Sequence, residues 1–140
     1  MQNEHAAGER AILLRDSQDG NDDAADGTSP KRVRAILKAR AARLKFFNEQ
    51  LFADPAWDML LELYALKCEG LRVSVSKLSL AAGVPCTTAL RWIDKLEAEE
   101  LLFRRDDPLD GRRIWVEISD KGLEAMRGYL QHISAGTSLF

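Results

Sequence analysis

Ser76-Lys77-Leu78-Ser79-Leu80-Ala81-Ala82-Gly83-Val84-Pro85-Cys86-Thr87-Thr88-Ala89-Leu90-Arg91-Trp92-Ile93-Asp94-Lys95-Leu96-Glu97-Ala98-Glu99-Glu100 holds two helical stretches around one glycine. Ser76 can cap a short helix over 77–82, and Gly83 supplies a turn residue free to take positive φ. Pro85 fits the opening of a longer helix that runs to about Glu100. A short and a long helix joined by a glycine turn make the helix-turn-helix pattern. In the longer helix Ala89, Ile93 and Leu96 are spaced to pack inward. Thr87, Thr88, Arg91 and Lys95 then fall on other faces. Hydroxyls and an arginine near the first turns suit a helix end directed into a major groove. The hydroxyls would meet phosphate there, and the arginine a base edge or phosphate. Trp92 borders the core stripe and reads as packing; Leu90 reads as core or as a contact to a thymine methyl.

The next residues sharpen the pattern. Leu101-Leu102-Phe103-Arg104-Arg105 reads as a strand, residues 106–111 (Asp-Asp-Pro-Leu-Asp-Gly) as a turn, and residues 112–118 as a second strand rich in β-branched and aromatic residues. A helix-turn-helix followed by such a hairpin is a winged helix. Arg104, Arg105, Arg112 and Arg113 stand at the feet of the loop, where a wing can place an arginine in the electronegative minor groove. Asp110 reads as a carboxylate that holds a wing arginine, and Asp106 and Asp107 as ordinary turn residues. Ser76 and Lys77 complete the expected DNA-facing set.

With these residues in order, the sequence resembles the MarR family of bacterial winged-helix regulators. The resemblance rests on Leu96-Glu97, Leu101-Leu102-Phe103-Arg104, Asp110-Gly111-Arg112 and Ile118-Ser119-Asp120-Lys121-Gly122, and covers about residues 31–135. It implies that Arg112 enters the minor groove and that Asp110 orients a wing or helix arginine. It also implies that Thr87, Thr88 and Arg91 face the major groove. Glu100 stands where members usually carry glycine. Only one long helix fits after the wing, where most members have two.

Upstream, Ser29-Pro30 is a cap-plus-proline start. Val33, Ile36, Leu37, Ala41, Leu44 and Phe47 recur at helical spacing over 30–48, among seven bases (Lys31, Arg32, Arg34, Lys38, Arg40, Arg43, Lys45). Those charges read as a solvated face or as contacts to phosphate or an acidic partner. Asp54-Pro55 repeats the start signal for a helix over about 55–68, closed by Gly70, and residues 73–75 form a short β-like piece. Trp57, Tyr64, Phe46 and Phe47 could line an aromatic-ligand pocket, although aromatics at helical spacing are more often core. Ser119 can cap a last helix whose Leu123, Met126, Leu130 and Ile133 form a narrow apolar seam. That seam would pack on its own domain or pair with the same helix, or the helix at 30–48, of a second subunit.

The chain has 140 residues, 46% hydrophobic and 30% charged, enough for one domain with a tail. Residues 1–30 hold seven acids and two bases, which leaves 18 bases and 15 acids in residues 31–140. The net charge of −2 therefore hides a mildly basic domain behind an acidic tail. No apolar run is long enough to span a membrane, and the first residues lack a secretion-signal pattern. Two cysteines, Cys68 and Cys86, cannot by themselves make a disulfide framework or a four-ligand zinc site, and the chain has two histidines, His5 and His132. No phosphate loop, metal cluster or nucleophile–base pair is recognisable. Cys86, at the start of the longer helix, could sense redox change, but a small buried cysteine is the commoner explanation.

The expectations are a mainly α fold with a small β-hairpin (α+β): a winged helix-turn-helix with flanking N- and C-terminal helices for dimerisation. Residues 1–29 are a flexible acidic tail, 30–135 the winged-helix domain and 136–140 a C-terminal tail. The function is sequence-specific binding of double-stranded DNA in transcription regulation. The helix at 85–100 lies in the major groove and the wing at 104–113 in the minor groove. The protein is expected to be a cytoplasmic, nucleoid-associated homodimer paired through 30–48 and 119–134, with no catalysis, metal or cofactor. The alternative is an interaction adaptor that binds no DNA.

Overall fold

A computed structural model describes residues 27–136. Residues 1–26 of the expected acidic tail and residues 137–140 lie outside the described residues, whereas Thr28 and Ser29, at the end of that tail, are buried. The order is α1 (Pro30–Ala42), α2 (Pro55–Glu69), β1 (Val73–Ser74), α3 (Val75–Ala82), α4 (Cys86–Ala98), β2 (Leu102–Asp107), β3 (Asp110–Ile118) and α5 (Asp120–Gly136). The strands form one antiparallel sheet in the order β1-β3-β2.

Helix α1 starts where Ser29 and Pro30 place it: the Ser29 hydroxyl accepts from the Arg32 amide at 3.2 Å. Val33 and Ile36 are buried. The expected run to residue 48 is not found. The α-helix ends at Ala42 and tightens into 3-10 turns over Arg43–Lys45 and Glu49–Leu51. Leu44, Phe46 and Phe47 are exposed, so beyond Ala42 no core lies beneath the helix to hold its apolar face. Two of the α1 bases pin it to α2: Arg34 pairs with Glu62 and Glu69, both at 2.8 Å, and Arg40 with Asp58 at 2.5 Å. The acidic partner of this basic helix is thus, in part, its own neighbour.

Helix α2 is the central one. Met59, Leu61, Leu63, Tyr64 and Ala65 are buried, and the Tyr64 hydroxyl donates to the Thr28 carbonyl at 2.7 Å. Asp54 caps it through the backbone only (Asp58 amide to Asp54 carbonyl, 3.0 Å), because its carboxylate turns toward Arg40. Gly70 takes φ 73° and ends it.

Helix α3 begins two residues before the expected start. Its cap is Ser74, not Ser76: the Ser74 hydroxyl accepts from the Lys77 amide at 3.3 Å. Val75 is drawn into the helix because it is buried against the core. Gly83 has φ 70° and forms the turn.

The exit of α4 is a Schellman closure. The Leu101 amide donates to the Leu96 carbonyl at 3.0 Å and the Glu100 amide to the Glu97 carbonyl at 2.8 Å. That geometry puts Glu100 at φ 64°, the left-handed region that favours glycine. Glu100→Gly is therefore expected to stabilise the fold by about 0.5–1 kcal/mol, net of the added freedom of the unfolded chain. Thermal unfolding would show a midpoint a few degrees higher; an unchanged or lower midpoint would refute the strain. The Glu100–Lys121 pair at 3.5 Å is exposed and adds little.

Helix α5 is capped by Ser119, whose hydroxyl accepts from the Gly122 amide at 2.9 Å and donates to the Glu100 carbonyl at 2.6 Å. Met126 and Leu130 are buried and Leu123 and Ile133 half-buried, all against this chain's own core. The seam expected to pair subunits is thus filled by its own domain. Helix α5 packs on α2 and on β3 of the sheet.

Candidate nucleic-acid interface

The outer face of α4 follows from its inner one. With Ala89, Ile93 and Leu96 buried, Thr87, Arg91 and Lys95 are exposed and Thr88 half-buried. Lys95 lies 4.6 Å from the centre of the half-buried Trp92 ring, which holds its ammonium at the surface. Leu90 is exposed rather than core. Ser76 and Lys77 are exposed on the first turn of α3. Cys86 is a free thiol and exposed, against the expectation of a buried cysteine, because it opens α4 outside the inward stripe.

The hairpin sorts its arginines. β2 and β3 pair in register from Leu102↔Ile118 to Asp106↔Ile114, and the register then shifts, leaving residues 111–113 as extra length on β3. Arg104 shares the inward face with the buried Leu102. Its guanidinium donates to Glu97 at 2.9 and 2.5 Å and to Asp94 at 2.7 Å. Chiefly the hydrogen bond to Glu97 raises its pKa above the ordinary arginine value. Arg105 pairs with Glu117 and lies over Phe103. Arg113 donates to Asp107 at 2.9 Å and stacks 4.8 Å from the Trp115 ring, which Arg72 also approaches at 4.6 Å. Arg112 is the most exposed of the four, its side chain 91% exposed against 29% for Arg104, 54% for Arg105 and 47% for Arg113. The Asp110 carboxylate accepts from the Arg112 amide at 3.0 Å and lies 3.4 Å from its Nε, so Asp110 bends the backbone that presents Arg112.

Arg104 was expected at the nucleic-acid surface and is instead tied to α4, because two carboxylates stand within reach of the inward face of β2. Asp107 was read as an ordinary turn residue. It is 5% exposed, and its carboxylate holds both the Leu109 amide (2.9 Å) and Arg113. Its position two residues before Leu109 was a visible signal for such a turn. The backbone hydrogen bond from Leu109 is the main cause that lowers the Asp107 pKa below 3.8. A depressed carboxylate stabilises the fold above its unfolded pKa and loses that contribution as the pH falls through the folded value. Acidification below the ordinary carboxylate range should loosen the hairpin tip, read as faster exchange of the Leu109 amide. Asp107→Asn should exchange fast at neutral pH and lose this acid response; a variant that keeps it would exclude Asp107 as the cause.

A cleft of about 670 Å³ lies between α1, the connection at 43–53 and the turn at 81–85, lined in part by Arg34, Leu37, Lys38, Leu44, Phe52 and Val84. The aromatic pocket raised as the less favoured alternative does not assemble, and of the four aromatics only Tyr64 is fully core. Trp57 meets Tyr129 edge-on at 5.4 Å, Tyr64 is core, and Phe46 and Phe47 point to solvent. Among the described residues no group of three or more His, Cys, Asp or Glu side chains could hold a metal ion, and no helix is long and apolar enough to cross a membrane.

No family model matches the sequence, and no curated protein does. Solved structures do. AF1382 from Archaeoglobus fulgidus superposes with a TM-score of 0.53 at 20% identity, covering 65% of this chain and 97% of that one. MepR of S. aureus in its complex with DNA gives 0.51 at 18% identity, over 72% of this chain and 78% of that one. AbsC, a MarR family transcriptional regulator from Streptomyces coelicolor, gives 0.50 at 17% identity, over 87% and 71%. The capped helices, the Gly83 turn and the hairpin on a three-stranded sheet thus build the winged helix-turn-helix fold of the MarR-type regulators.

Proposed function

We propose that the protein is a sequence-specific DNA-binding transcriptional regulator without catalytic activity, acting on double-stranded DNA at the nucleoid in the cytoplasm. The observation that carries this reading is the sorting of the wing arginines: three are held by acids on neighbouring elements and partly covered, and Arg112, which meets only the adjacent Asp110, is 91% exposed at the tip. In this reading α4 lies in the major groove. Thr87, Thr88 and Lys95 meet phosphate, and Arg91 meets a base edge or phosphate. Ser76 and Lys77 flank it on the backbone. Arg112 enters the minor groove, set by Asp110. Arg105 and Arg113 line the hairpin beside it. The fold shared with MepR, whose structure in complex with DNA is known, supports the reading.

The regulator acts as a homodimer on a two-fold site. With the α5 seam internal, the region at 30–48 supplies the contact. Leu44, Phe46 and Phe47 are exposed there, next to Leu51 and Phe52.

Binding-site selection followed by titration tests the function. Arg112→Ala should weaken binding about tenfold on every sequence and lower the salt slope by about one. Unchanged affinity and salt dependence would remove the wing from the interface. An adaptor that binds no DNA would show no salt-sensitive shift at low salt. Arg34 and Arg40, tied within the chain, leave less of the basic α1 surface for such a role.

A further inference from the structure

We infer that Arg104 is a positioning residue for DNA recognition: it clamps the hairpin to α4 so that Arg112 and the outer edge of α4 engage one duplex together. This rests on the DNA-binding reading above, and it assigns a role to an arginine that does not face outward.

The first ground is geometry. One guanidinium spans two carboxylates on successive positions of the same helix face, Asp94 and Glu97, and so fixes β2 against α4 in both rotation and distance. The third strand supports only the root of the hairpin, through Val73↔Val116 and Ser74↔Trp115. Beyond it β2 and β3 form a two-stranded ribbon, which is marginal by itself. Arg104 pairs with Val116 across the strands, one level before the last that the third strand supports (Arg105↔Trp115), so its clamp lies close to where the two-stranded ribbon begins.

The second ground is charge. Within Cys86–Ala98, Arg91 and Lys95 are balanced by Asp94 and Glu97, so α4 carries no net side-chain charge. Asp94 and Glu97 would face phosphate unfavourably if left alone. Arg104 covers them from the protein side.

A positioning role and a purely electrostatic one differ in sign. Removing the two carboxylates (Asp94→Asn with Glu97→Gln) makes α4 more positive but breaks the clamp. Positioning predicts weaker binding to a duplex selected by the native protein; charge alone predicts tighter binding. Arg104→Gln should weaken binding about tenfold with an unchanged salt slope, because no phosphate contact is lost. In that background Arg112→Ala should cost less than about twofold, since a misplaced tip has little left to lose. Arg104→Lys keeps the charge but not the fork and should bind between the native protein and Arg104→Gln.

Additive effects of Arg104→Gln and Arg112→Ala, a salt slope lowered by one in Arg104→Gln, or tighter binding by the double carboxylate variant would each overturn the inference while leaving the DNA-binding reading intact. Absence of salt-sensitive binding by the native protein would overturn that reading itself, and this inference with it. Should Arg104→Gln not fold, the carboxylate variant, which keeps Arg104, decides the question by its sign.

Discussion

Gly122→Ala is expected to destabilise the domain by about 3 kcal/mol, a drop of roughly 10 °C in the unfolding midpoint for a domain of this size. A Cβ at Gly122 would stand 2.2 Å from the Leu101 carbonyl oxygen and 2.8 Å from Cγ1 of Ile118. The nearest obstacle is backbone, so no rotamer change relieves it. Leu101 is also fixed from both sides, since its amide closes α4 and its carbonyl accepts from the Ser119 amide at 3.0 Å. The first turn of α5 would have to lift away from the start of β2. Gly128→Ala, in the same helix with nothing within 4 Å of the added carbon, is the matched control. It should stabilise by about 0.5–1 kcal/mol, as alanine does in an exposed helix interior. Equal effects at the two positions would show that helix propensity, not the close approach, governs Gly122.

Leu130→Ala is expected to cost about 3 kcal/mol. Leu130 is completely buried, between Met126 and Ile133 on the face of α5 that covers the core. Because this burial lies within one chain, the loss measured in denaturant should not depend on protein concentration. A loss that shrinks as concentration rises would mean that the seam packs between subunits, contrary to the fold described above.

Much of the fold was legible because it is written locally. Ser29-Pro30, Asp54-Pro55, Gly70 and Gly83 mark helix boundaries through their own backbone chemistry, and the inward triad Ala89, Ile93 and Leu96 follows from helical period alone. The Glu100 position was legible as a departure from the usual glycine, and the structure shows its cost as a left-handed residue in a Schellman closure. The end of α1 was not legible. The apolar period continues through Leu44 and Phe47, but a period says only which residues share a face, not whether a core lies opposite that face.

The site divides in the same way. Sequence alone determined that a cationic hairpin follows a helix whose exposed edge carries threonines, an arginine and a lysine, since those properties depend on spacing within a few residues. Only the tertiary structure decided which arginine remains fully exposed. Arg104, Arg105, Arg112 and Arg113 are chemically alike, and their fates differ because β2 turns one face to α4, Glu117 lies across the strands from Arg105's side of the hairpin, and Asp107 is buried beneath Arg113. An arginine takes whichever carboxylate the folded chain brings within about 3 Å, and that distance is set by strand register and helix packing rather than by sequence separation.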